Sequence, residues 1–183
     1  MKLGYTDISK KREFWKEQSE KISGKFKVKH SQSHSHETLF LNFEYKDLDI
    51  EFSENDTQPL KVTFSRGARR DCNISISEED VIEKIVKFFG GNKEIQVGNS
   101  EFDKQYLIQG DDSVLLRRFV TNDIQTLMLE TKVFALNCST NRKTDRLEFT
   151  CTVNRQICDF EGLQKVYELT CSIVDSLKKL GVI

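Results

Sequence analysis

Proline is almost missing from this sequence, with Pro59 alone in 183 residues, and alanine occurs only twice. Scarce alanine removes the strongest helix former, while thirteen phenylalanines favour sheet, so the balance leans toward strands. No apolar run approaches the roughly 18 residues of a membrane span. The first residues also lack the apolar stretch of a signal peptide. No CxxC pair occurs, which removes sequence support for a zinc knuckle or a redox pair. There is no Gly-x-Ser-x-Gly elbow and no Gly-x-x-x-x-Gly-Lys-Ser/Thr loop. Histidine is confined to His30, His34 and His36, so a Ser/His or Cys/His catalyst would have to borrow from one polar segment.

What is present suffices for one folded domain. Leu, Ile, Val and Phe make up 54 residues, 30% of the chain, well above the roughly 20% below which chains tend to be disordered. The five cysteines, an odd number, read as reduced thiols filling a core in a cytoplasmic protein. The net charge is −1, but residues 1–30 carry +5 and the remainder −6. An acidic body argues against nucleic acid as a partner. The basic N-terminal segment reads either as a helix docked on that body or as one lying on an anionic membrane.

Periodicity gives the elements. Ile8, Trp15 and Ile22 recur every seven residues with Phe14 beside them, which predicts a helix from Asp7 to about Ser23, stopped at Gly24. A polar segment containing the three histidines is expected to be a loop over 27–37. Leu41, Phe43 and Tyr45 alternate, as do Leu48, Ile50 and Phe52, and they pair as a half-buried hairpin with Leu41 opposite Phe52. Its Lys46-Asp47 turn is not the favoured Asn-Gly, which suggests a longer loop. Leu60 to Ser65 and the Ile74, Ile76 pair are further strands. A capping box at Ser77 predicts a helix through Phe89, ended by Gly90-Gly91. Short strands at 94–97 and 105–108 precede helices at 113–119 and 122–130, the second capped by Thr121. A second hairpin is expected with Phe134 opposite Cys151 and Cys138 opposite Leu147. Asp159 then caps a long helix with a wide apolar stripe through Leu163, Val166, Ile173 and Leu177. The predicted fold is α+β: a mainly antiparallel sheet packed against an N-terminal helix and a long C-terminal helix. It divides into a basic helix (1–26), a polar loop (27–37) and a body (38–183).

Three groups stand out chemically. His30, His34 and His36 share one face of an extended chain, a pattern that suits Zn²⁺, Ni²⁺ or Cu²⁺, though a solvated loop is the simpler reading. Arg66, Arg69 and Arg70 flank Gly67 between two strands and can fork onto phosphates or carboxylates. Cys158 precedes the last helix, whose N-terminus stabilises a thiolate.

Phe102, Asp103, Lys104, Tyr106 and Ile108, then Asp112, then Val120, Thr121 and Ile124 resemble a segment of a family of uncharacterised bacterial proteins, with Asn122 where that family has proline. The match runs over residues 94–129. The resemblance implies a strand, a turn and a capped helix in a soluble region that family members carry beside transmembrane helices. It brings no assigned activity and no catalytic residues.

Together these readings lead to a non-catalytic binding or interaction module with an unidentified protein or small-molecule partner and no cofactor. The alternatives are a peripheral membrane protein using the basic helix, and an enzyme with a site near Arg66–Arg70 or Cys158.

Overall fold

A computed structural model describes residues 8–30, 37–55, 57–78, 95–153 and 157–183. Eight strands form one antiparallel sheet: β1 (Lys25–His30), β2 (Glu37–Tyr45), β3 (Leu48–Asn55), β4 (Lys61–Gly67), β5 (Asn73–Glu78), β6 (Tyr106–Gly110), β7 (Val133–Asn141) and β8 (Arg146–Val153). Their spatial order is β1-β2-β3-β4-β8-β7-β5-β6, so the last strand in sequence sits in the middle of the sheet. Five helices complete the described chain: α1 (Ile8–Lys21), α2 (Ser100–Gln105), α3 (Ser113–Phe119), α4 (Asn122–Thr131) and α5 (Phe160–Lys179). The α+β architecture is as the sequence predicts.

Alternation dictates the layers. Leu41, Phe43, Ile50, Phe52, Val62, Phe64, Phe149 and Leu136 all point to one face and are buried under the helices. Phe64 and Phe149 are directly opposed and stack with centroids 4.4 Å apart, joining the two halves of the sheet. The other face carries polar side chains such as Lys27, Glu51, Thr63 and Thr150.

α1 docks on this sheet. Trp15 is fully buried, with its ring 6.5 Å from Phe26 of β1, and Lys11 forms a buried 2.6 Å ion pair with Glu54 of β3. The exposed side of α1 mixes Lys10, Glu13, Lys16 and Glu20, so its main apolar anchor is spent inside the fold rather than offered to a membrane. No helix among the described residues is long and apolar enough to cross a membrane.

α5 lies across the sheet as its longest helix. Asp159 accepts the Gly162 amide at 2.6 Å as N-cap, and Leu163, Val166, Ile173 and Leu177 are buried. Tyr167 packs on Phe43 at 5.2 Å.

Several local expectations need correction. Residues 25–30 form a strand, not part of a loop: Phe26 and Val28 alternate with Lys25, Lys27 and Lys29, an amphipathic pattern masked by its charge. The left-handed residue after α1 is Ser23 (φ 53°), while Gly24 is needed because a Cβ there would lie 2.9 Å from the Asn42 carbonyl oxygen. Lys46 and Asp47 make a tight two-residue turn, both with positive φ as a type I′ turn demands. That turn is stapled to α5 by Lys46 Nζ to Asp175 at 2.6 Å, and Lys178 donates to the Lys46 carbonyl. Ser77 is a buried strand residue of β5, and the helix predicted after it lies outside the described residues. Residues 95–97 make no strand, although the Ile95 amide donates to the Ile108 carbonyl at 3.0 Å; α2, capped by Asn99, precedes β6.

The second hairpin is displaced by two residues from the expected register. Leu136 faces Cys151 and Cys138 faces Phe149, with an irregularity between Val133 and Ala135. A two-residue shift leaves every side chain on its face, so the apolar pattern cannot distinguish the registers.

Candidate functional site

A cleft of about 400 Å³ opens where one end of the sheet meets α3. Three separate stretches build it. The approach to β5 supplies Asp71, Cys72 and Asn73, the β6–α3 turn supplies Asp111 and Asp112, and the end of β7 with its following turn supplies Ser139, Thr140 and Arg142. Gly110 allows the first two stretches to touch, since there is no space for a Cβ beside the Asn73 carbonyl.

The rim is ion-paired. Arg70 Nη2 lies 2.6 Å from Asp112 Oδ2, and Arg142 Nε lies 3.7 Å from Asp71 Oδ2. Asn73 Nδ2 donates to Asp111 Oδ2 at 3.2 Å. Asp112 is also the N-cap of α3, accepting the Val114 and Leu115 amides at 3.0 and 2.9 Å. Those amides, helped by Arg70, hold its carboxyl below the ordinary range. Thr140 donates its amide to the Cys72 carbonyl and accepts the Cys72 amide on its hydroxyl, which locks the floor. The Cys72 thiol is drawn down by its hydrogen bond with Cys138 and by Arg70, against the opposing pull of burial and of Asp111 and Asp112. Its partner Cys138 is pushed up by the same hydrogen bond and by burial.

Of the three candidate arginines, only Arg70 reaches this cleft. Arg66 donates to the Asp47 carbonyl at the β2–β3 turn, and the Arg69 amide donates to the Val182 carbonyl at 2.8 Å while its side chain is exposed. The three therefore serve different partners and do not converge on one anion. His30 ends β1, exposed, with Nδ1 3.2 Å from Glu37 Oε1, and Glu37 also pairs with Arg12. His34 and His36 lie outside the described residues. Among the described residues no three potential metal ligands come together. Cys158 is exposed just before α5 and does not line the cleft.

A second hollow, about 560 Å³, lies between the α3–α4 corner and the end of α5, bordered by Arg118, Thr121, Asp123 and Lys179. Its Asp175 is already committed to Lys46 and Tyr45. The first cleft is the better candidate because three chain segments fix its polar groups on strand ends.

The strand and helix expected at 105–108 and 113–119 leave Asp111 and Asp112 in the turn between them, as found, and Cys72 is buried as expected of a core thiol. The cleft carries no sequence signal, because its walls, at 71–73, 111–112 and 139–142, are far apart in the chain.

No family model matches the chain, and no curated protein matches its sequence. Among solved structures it is similar to the crystal structure of the mycobacterial trehalose monomycolate transport factor A, TtfA, with a TM-score of 0.56 and 5% sequence identity. The match covers 94% of this chain and 97% of that chain. At this identity the likeness is one of fold, extending over nearly the whole domain.

Proposed function

We propose that the chain is a non-catalytic binding module that receives a small polar ligand in the cleft beside Arg70. The observation that carries this reading is the lining: carboxylates, the Arg142 guanidinium, hydroxyls and an amide, largely on strand ends, with Arg70 paired to Asp112 at the rim, in a volume within the usual range for small-molecule sites. Such a surface suits a hydrogen-bonding, zwitterionic molecule better than a lipid chain. The fold shared with a protein named as a transport factor supports binding rather than chemistry as the role. The same reading assigns the protein to a bacterial cytoplasm, where five cysteines without a disulfide are at home. It also takes up kinship with the uncharacterised bacterial family resembled over residues 94–129.

The test is a thermal-shift panel of small zwitterions on the purified chain, with native mass spectrometry of whatever co-purifies. A ligand at 100 times its Kd stabilises by about 2.7 kcal/mol, a readable rise in melting temperature. Arg142→Ala, at the exposed rim, should remove that rise without lowering the melting temperature of the free protein. If nothing co-purifies and no panel member stabilises the wild type, the reading fails.

One observation favours a second reading, an enzyme using the same cleft: the Cys72 thiol is held below its usual range there. Turnover abolished by Cys72→Ser in a protein that still folds would favour it.

A further inference from the structure

The sequence has no CxxC, yet folding brings two thiols together. Ile74 of β5 faces Cys138 of β7, and two residues earlier Cys72 exchanges backbone contacts with Thr140. Cys72 and Cys138 are therefore diagonal neighbours on adjacent strands, a placement that sets Cα atoms roughly 7–8 Å apart. Each sulfur acts on the other's proton, drawing the Cys72 pKa down and pushing the Cys138 pKa up. Cys138 is fully buried, whereas Cys72 lines the cleft, with the Arg70 cation acting on its sulfur. A diagonal position alone does not make such a pair. Cys151 of β8 is also diagonal to Cys138, but burial alone acts on its thiol.

We propose that Cys72 and Cys138 are a peroxide-oxidisable dithiol, with Cys72 the attacking sulfur and Cys138 the resolving one. The oxidant is a hydroperoxide small enough for the cleft. The Cys72 thiolate bonds to one peroxide oxygen, the O–O bond breaks, and the departing oxygen takes a proton to leave as water or an alcohol. Cys72 is then a sulfenic acid. The Cys138 thiol gives up its proton and attacks that sulfur, the S–O bond breaks, and hydroxide leaves with the proton as water. Two thiols become one disulfide, and one hydroperoxide is reduced. Cys72 lies one residue outside the paired β5–β7 ladder, so the approach needed for a Cα spacing under about 7 Å disturbs its two bonds to Thr140 and leaves the ladder pairs from Asn73 onward in place.

The inference does not rest on ligand binding, and a cleft that binds nothing leaves its test unchanged. The native, fully reduced chain is exposed to hydrogen peroxide, digested without reduction and mapped by mass spectrometry. The expected result is a linked Cys72–Cys138 peptide, reversed by dithiothreitol, while Cys151 remains a thiol that alkylates after denaturation. In Cys138→Ser the Cys72 sulfenic acid should persist and be captured by dimedone. The wild-type map decides the matter even where that core variant does not fold. Oxidation confined to exposed Cys158 and half-buried Cys171, with Cys72 and Cys138 both recovered as thiols, overturns the proposal. A disulfide from Cys72 to any other cysteine does so equally.

Discussion

Gly110 closes β6 against the start of β5, and a Cβ built there would fall 2.2 Å from the Asn73 carbonyl oxygen and 2.8 Å from Leu116 Cδ1. Backbone and core must both give way, so Gly110→Ala should destabilise by about 1–3 kcal/mol in urea unfolding. Gly67 has open space around its Cβ position, and Gly67→Ala should be neutral or slightly stabilising. Cys151 gives a second residue-scale prediction. Burial pushes its thiol from an ordinary 9.0 up to about 12. Between those values the unfolded chain has released the proton that the folded chain still holds, so the stability present below pH 9 is lost as pH rises toward 12. Each pH unit in that window removes about 1.4 kcal/mol through this group. Cys151→Val should unfold on a shallower alkaline slope than the wild type. Equal slopes would mean that the thiol reaches solvent.

Among elements, α5 is the one on which the others converge: α1, α3 and α4 all contact it, and its stripe covers the sheet. Ile173 is 1% exposed, so Ile173→Ala should cost roughly 2–5 kcal/mol by leaving a cavity. Lys165 makes surface ion pairs with Glu161 and Glu130, and Lys165→Ala should change the melting temperature little. Similar small effects from both would mean that α5 is a surface helix. α1 depends on one anchor in the same way. Trp15 is wholly buried, and Trp15→Ala should cost about 3–5 kcal/mol. Anionic vesicles should not bind the native chain at physiological salt, a point that co-flotation checks, since Trp15 is not available for insertion.

For the whole molecule, strand order sets the folding problem. β4 pairs with β8, which lies more than 80 residues later, with Val62 opposite Cys151 and Phe64 opposite Phe149. Without β8, the β1–β4 meander and the β5–β6 pair share no strand–strand contact. A fragment ending at residue 131 should therefore lack a cooperative urea transition, whereas the full chain should show one. Such non-local pairing also places refolding in the slow range typical of sheet proteins, milliseconds to seconds or longer, which stopped-flow fluorescence of Trp15 can follow. A fragment that melted cooperatively would reveal two independent units.

Local patterns settle what depends on neighbours in sequence. Leu41, Phe43, Ile50 and Phe52 fix the first hairpin's faces, and Thr121 and Asp159 mark two helix starts, because alternation and caps are short-range physics. Lys46 and Asp47 escaped that logic because their strained turn is held by Asp175 and Lys178 from α5, some 130 residues away. The second hairpin's register escaped it because a shift by two residues is invisible to an apolar pattern. The cleft and the Cys72–Cys138 pair are further still from the sequence, since neither exists until β5, β6 and β7 lie side by side. Composition and periodicity determined the α+β class and the long helix over a sheet. Only the tertiary structure decided which distant polar groups and thiols would meet, because that choice follows from strand order, which no single stretch of this chain encodes.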